Sequence, residues 1–269
     1  MSKRTIYSII AIVIVVAIYG YEHFLEEEEK AEVVADGKTI KTETNEYLLP
    51  TSTTGQVVHH YGYSLSYSEV HEQAEWVAYE LKKSHLSRTN YKRPYFEIDE
   101  AVKTGAAHWR NYKNSGYDRG HLCPAGDRRY SEQAYNETFL TSNISPQQHK
   151  FNAGIWNSLE QKVRYWANKY DGVFVVTGGI FNDDMKRIGD ENVSVPNQFY
   201  KILIDNNSTN PKMIAFLIPH ADSNKPLYEF VVSIDSIEKL TAIDFFPELE
   251  DGIENKLEAS SVYKNWSFN

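Results

Sequence analysis

Gly116-Tyr117-Asp118-Arg119-Gly120-His121-Leu122-Cys123-Pro124 places an acid, a guanidinium and an imidazole within four residues. Its glycines permit backbone angles that other residues resist. The surrounding stretch, 111–130, is rich in Gly, Asn, Asp, Arg and Pro and reads as a long loop. Histidine is the side chain suited to taking a proton near neutral pH. A neighbouring arginine offers a planar fork to phosphate oxygens. A lone Asp-Arg-Gly-His is a weak signal, since an acid beside a histidine is often a structural pair. Cys123 reads as small buried filler rather than as a nucleophile.

Two further segments follow. Thr138-Phe-Leu-Thr-Ser-Asn-Ile-Ser-Pro-Gln147 leads into Phe151-Asn-Ala-Gly-Ile-Trp-Asn-Ser-Leu-Glu160. Ile155, Trp156, Leu159, Val163, Trp166 and Tyr170 recur at helical spacing and predict a helix over 153–170. Asn152 stands where that helix begins, and Glu160 follows eight residues on. In an unbroken helix the two are separated by about 12 Å of rise and about 80° of rotation. They can flank one ion, with Asn152 as a direct oxygen ligand and Glu160 holding its water, as magnesium prefers. The plain alternative makes Asn152 a helix cap and Glu160 a solvated charge.

Strands are expected at Val58–Ser68, Trp76–Leu81, Val173–Thr177, Phe199–Ile204, Met213–Ile218 and Phe230–Ile234. Asp235-Ser-Ile-Glu238 looks like a capping box opening a short helix. Strands dominate with few long helices between them. The expected class is therefore α+β with a largely antiparallel sheet, not a doubly wound fold.

The chain of 269 residues carries a net charge of −9, which taken whole disfavours a nucleic-acid partner. The middle differs. Residues 88–170 hold 13 Lys/Arg against 8 Asp/Glu, and seven of the nine arginines. That distribution fits a local anion site. One cysteine excludes an intrachain disulfide framework. The apolar run from Ile6 to Tyr21, after Lys3 and Arg4, is expected to be an N-terminal transmembrane anchor (residues 1–25), with a cleaved signal as its rival. Residues 26–55 read as a polar acidic stalk and 56–269 as the globular domain.

The three segments, in this order and spacing, resemble the DNA/RNA non-specific endonuclease family of the ββα-metal superfamily, which has secreted bacterial and mitochondrial members. Val176-Thr-Gly-Gly179, Val195-Pro-Asn-Gln-Phe-Tyr-Lys201 and Ala215-Phe-Leu-Ile-Pro219 extend the resemblance to about residue 266. It implies a ββα-metal nuclease fold and a Mg²⁺-dependent endonuclease, with Mn²⁺ as a substitute ion. Such an enzyme cuts DNA and RNA through backbone phosphate contacts and leaves 5′-phosphate ends. His121 would then be the general base and Asn152 the metal ligand. Glu160 would organise the metal's water, and Arg119 would contact phosphate. A second phosphate arginine is expected at Arg88, with Arg93 or Arg110 in its place as alternatives. Asn143 would orient His121 or the substrate, and Asp118 would shape the loop.

Two other readings stay open: a phosphodiesterase acting on small nucleotides, and a non-catalytic nucleic-acid binding or uptake protein. A tethered domain is expected on the extracytoplasmic side, in a bacterial periplasm or at the cell surface. In a eukaryote the resemblance implies the mitochondrial intermembrane space. Family members often dimerise, so a homodimer is a further expectation.

Overall fold

Alternation of apolar side chains along the strands sets the architecture. The computed structural model describes residues 32–35, 38–41, 46–205 and 211–268. Strands β1 (Glu32–Ala35) and β2 (Lys38–Lys41) form an antiparallel hairpin within a first unit, Met1–Thr42. The second unit is Glu43–Asn269. Its strands are β3 (Val57–His59), β4 (Ser64–Ser68), β5 (Gln73–Lys82), β6 (Asp118–His121), β7 (Ile144–Gln147), β8 (Gly172–Gly179), β9 (Lys186–Ile188), β10 (Val193–Val195), β11 (Gln198–Asp205), β12 (Lys212–Pro219) and β13 (Val231–Val232). Its principal helices are α1 (Glu132–Glu137), α2 (Asn157–Lys169), α3 (Ile234–Thr241) and α4 (Asp251–Glu258).

Seven strands make one sheet in the order β13-β12-β11-β8-β5-β4-β3, antiparallel at every pairing. The α+β class with an antiparallel sheet is thus the observed one. In β8, Val173 and Val175 enter one core while Phe174 and Val176 enter the other. In β11, Phe199 and Leu203 take the first side and Tyr200, Ile202 and Ile204 the second. Trp156, with Leu159, Val163 and Trp166 of α2, fills the first core. Ile234 and Ile237 of α3, with Phe245 and Phe246, fill the second. Each such side chain stabilises the fold by roughly 1.5–3 kcal/mol when fully buried. Burial on both faces is why these strands read as continuous apolar runs.

Several expectations change. Residues 111–130 are not one long loop: β6 lies within them and pairs with β7. Its Gly, Asp and Arg have low strand preference, and tertiary contacts override that preference here. The helix expected over 153–170 becomes regular only at Asn157. A short α-helical turn, His149–Phe151, and a π-turn, Asn152–Trp156, precede it, and the backbone leaves helical angles at Gly154 (φ −99°, ψ −111°). The capping box at Asp235–Glu238 does not form. Ser233 is the N-cap, its Oγ meets Ser236 Oγ at 2.7 Å rather than a backbone N–H, and Glu238 Oε1 accepts from Phe245 N at 3.1 Å instead.

Residues 46–55, read as part of the stalk, contribute to the fold. Leu48 is buried in the second core, and Thr53 N donates to Glu75 Oε1 at 2.9 Å. The anchor expected over 1–25 lies outside the described residues. Among the described residues no helix is long and apolar enough to cross a membrane.

Candidate active site

In β6, Asp118 stands opposite Gln147 and His121 opposite Ile144. Strand alternation sends Arg119 and His121 to one side and Asp118 and Gly120 to the other. Gly120 answers a close approach: a Cβ there would lie 2.2 Å from the Gln147 side chain, which is fully buried.

Phe96 gathers the first side. Its ring centroid is 5.7 Å from that of His121, 5.2 Å from Arg119 Cζ and 5.6 Å from Arg93 Cζ. Phe139 meets the imidazole edge-on at 5.0 Å, and Trp109 flanks Arg119 Cζ at 5.7 Å. Burial among these rings, and then the positive charge of Arg93, bring the His121 pKa down to about 4. The imidazole is therefore neutral and able to accept a proton throughout the neutral range. His121 Nε2 and Arg119 Nε are buried without a hydrogen-bond partner among the described residues. Unsatisfied buried groups are rare in folded proteins and call for an explanation such as a catalytic role or an absent ligand.

On the other side, Asp118 Oδ2 accepts from Asn152 Nδ2 at 3.0 Å and lies 2.9 Å from His149 Nδ1. That bond occupies the amide nitrogen of Asn152. Its Oδ1 takes no hydrogen bond among the described residues and is the kind of hard oxygen a divalent cation accepts. Asn152 is not an N-cap: the N-cap is Gln148, four residues earlier, and Asn152 closes the short turn His149–Phe151. Gln148 N donates to His220 Nε2 at 2.6 Å, and His220 Nδ1 lies 2.8 Å from Pro196 O, which fixes the approach to the π-turn.

Glu160, in the first turn of α2, is no solvated charge. Burial pushes its pKa up to about 7, with Lys201 the foremost opposing influence. Lys201 shares strand parity with Phe199 and Leu203, and it is fully buried. Burial brings its pKa down to about 8, against the pull of Glu160 and Asp127. Lys201 Nζ has no hydrogen-bond partner among the described residues and sits 4.7 Å from the Trp156 ring centroid. Beside them Asp127 accepts from Arg164 Nη1 at 2.7 Å and from Tyr79 OH at 3.0 Å.

The structure therefore joins Arg119 and His121, and it joins Asn152 to Asp118. Among the described residues no hydrogen bond, ion pair or ring contact joins Arg88 to them. Arg88 is exposed, and Arg93 is the upstream arginine beside His121. Arg110 stacks instead on Trp109, at 5.4 Å. Asn143 does not orient the imidazole by direct contact. It is fully buried, its Oδ1 accepts from Cys123 N at 2.8 Å, and its Nδ2 donates to Cys123 O and Thr138 O at 3.0 and 2.9 Å. Asn143 thus clamps the exit of β6. Cys123 is fully buried, and burial pushes its thiol up to about 12, so it supplies no thiolate near neutral pH. Sequence reasoning missed Phe96, the hold of Asp118 on Asn152, and Lys201. Only the last carried a signal, a lysine inside the apolar alternation of Phe199–Ile204.

The family model described as DNA/RNA non-specific endonuclease matches residues 40–252. The chain belongs to the DNA/RNA non-specific endonuclease family. Among relatives, "Nuclease EXOG, mitochondrial" of Danio rerio is 38% identical over 203 residues, covering 69% of this chain and 59% of that protein. "Endonuclease G, mitochondrial" of Homo sapiens is 33% identical over 202 residues, covering 70% of this chain and 68% of that protein. A solved structure described as a crystal structure of the EndoG/EndoGI complex superposes with a TM-score of 0.67 and 30% identity, covering 72% of this chain and 86% of that one. The DNA/RNA non-specific endonuclease chain spans about three fifths of the length of the EXOG relatives it matches.

Proposed function

We propose that this chain is a metal-dependent endonuclease that hydrolyses phosphodiester bonds of DNA and RNA and leaves 5′-phosphate ends. One arrangement carries the reading: a neutral, half-buried imidazole at His121 flanked through Phe96 by the guanidinium groups of Arg93 and Arg119. Guanidinium pairs recognise phosphate oxygens, and that contact is blind to base and sugar.

The chain's own residues divide the work. Arg93 and Arg119 hold the phosphate. His121 takes a proton from the attacking water as the new P–O bond forms. The bond from phosphorus to the 3′ oxygen then breaks, and that oxygen is protonated from solvent. Asp118 fixes Asn152 through its Nδ2, which supports Oδ1 as the ligand for Mg²⁺, with Mn²⁺ in its place. A bound ion would neutralise charge developing on the phosphate and the leaving oxygen. Glu160 offers a carboxylate for hydrogen bonds to water around the ion, and Lys201 favours its ionised form.

Incubation of the full chain with supercoiled plasmid and with RNA, in Mg²⁺ or in EDTA, tests this. Nicking that requires the metal and is lost in His121→Ala is expected. Intact plasmid and RNA with folded wild type across several metals would overturn it. Hydrolysis of small phosphodiesters alone would move the chain to the second of the sequence readings.

The location stays at the level of names, several relatives being called mitochondrial. The tether at residues 1–25 is a proposal from sequence, and release of the protein from membranes by high salt without detergent would defeat it. No homodimer is proposed.

A further inference from the structure

The helices on the second core carry an arrangement that phosphodiester cleavage does not use. Asp235 and Glu238 lie nearly one turn apart on α3, and Glu258 is the last residue of α4. One carboxylate oxygen from each lies within 4.8 Å of the other two. Glu258 is 6% exposed, and its Oε1 is buried with no hydrogen-bond partner among the described residues. No described lysine, arginine or histidine forms an ion pair with any of the three.

Electrostatics makes this arrangement costly as it stands. A carboxylate at a helix C-terminus opposes the helix dipole. Two more acids, Asp244 and Glu254, add negative charge around Glu258. Burying such charge without a partner is strongly unfavourable. A cation relieves the same charge and satisfies the orphaned oxygen.

We propose that Asp235, Glu238 and Glu258 form a second divalent-cation site, of the calcium class, that staples α4 to α3. The donors are all hard carboxylate oxygens, as that class requires. Calcium–oxygen distances of about 2.3–2.6 Å let two ligands stand up to about 5 Å apart across the ion, which accommodates the observed spread. Water completes the coordination. The site is structural and separate from Asn152, so it contributes to the stability of the C-terminal helices rather than to hydrolysis.

The test uses the full chain, stripped of metal by chelation. Calorimetric titration and thermal melting with Ca²⁺ and with Mg²⁺ are run on wild type, Asn152→Ala, Asp235→Asn and Glu258→Gln. Wild type and Asn152→Ala are expected to bind one Ca²⁺ that raises the melting temperature. Asp235→Asn and Glu258→Gln are expected to weaken that binding at least about tenfold and to abolish the rise. Metal-free Glu258→Gln should melt no lower than metal-free wild type, because it removes a buried charge. If that variant fails to fold, Asp235→Asn decides. Mg²⁺-supported plasmid nicking by Glu258→Gln should be unchanged. A Ca²⁺ rise that is absent from wild type, equal in all four proteins, or lost only in Asn152→Ala would overturn the site. A wild type that cuts no nucleic acid leaves this titration valid, since its readouts are binding and melting.

Discussion

Asp118 Oδ2 grips Asn152 Nδ2 at 3.0 Å and so ties the start of β6 to the π-turn. His121 ends the same four-residue strand, about 10 Å along it. One short strand therefore sets both the proposed general base and the holder of the proposed metal ligand. Asp118→Ala should weaken Mg²⁺ dependence by about 10–100-fold, the usual cost of losing a residue that orients a ligand. Asp118→Asn should recover part of that loss. The Mg²⁺ concentration giving half-maximal nicking measures it, and an unchanged value in Asp118→Ala would detach Asp118 from the metal.

The pH profile follows from His121. Its folded value near 4 lies below the ordinary value of 6.5, so between the two the unfolded chain binds the extra proton. Its contribution to stability is complete above pH 6.5 and is lost as pH falls towards 4. The acidic limb of kcat/KM set by this group should accordingly sit near pH 4. Arg93→Ala removes a positive charge that holds the value down, so the limb should move upward, while Arg93→Lys should hold it. A limb that stays in place in Arg93→Ala would break the link between these residues.

Lys201 is expected to act through Glu160. Lys201→Met removes the foremost influence keeping that carboxyl ionised. Half-maximal Mg²⁺ at pH 7 should rise several-fold and recover towards wild type at pH 9. A buried carboxylate left without its partner is destabilising by about 3–5 kcal/mol, so Lys201→Met/Glu160→Gln should unfold at higher urea than Lys201→Met. A Mg²⁺ requirement equal to that of wild type at both pH values would leave Lys201 as packing alone.

Asn143→Ala separates clamping from contact with substrate. It removes three hydrogen bonds and strands the backbone of Cys123 in the interior. A loss of about 2 kcal/mol or more in urea unfolding is expected. The fraction that remains folded should keep its KM for plasmid, whereas a raised KM would return Asn143 to the substrate.

Gly120→Ala should destabilise by about 1–3 kcal/mol, because the added methyl would overlap Gln147. It should also lower kcat through displacement of His121. Urea unfolding alongside single-turnover cleavage measures both, and a neutral variant would show that Gln147 yields.

Much of the sheet was legible because its strands are buried on both faces. Val173–Thr177 and Met213–Ile218 announce themselves by unbroken apolar content. β6 was not legible, since Asp-Arg-Gly-His has the composition of a loop and its pairing with β7 is a long-range fact. His121, Arg119, Asn152 and Glu160 could be singled out as candidates because residue type, spacing and the family resemblance mark them. Which arginine stands beside His121 could not, because Phe96 makes that choice by packing. The capping box at Asp235 failed for a related reason. Glu238 had a better acceptor role at Phe245 N, a partner no local pattern reveals.

The π-turn at Asn152–Trp156 divides the helix into two stretches that are out of phase. Gly154 leaves helical angles within it (φ −99°, ψ −111°), so the faces on either side do not line up. The end that carries Asn152 and the end that carries Leu159, Val163 and Trp166 can therefore vary as separate modules. Core substitutions in the regular stretch need not re-aim the asparagine.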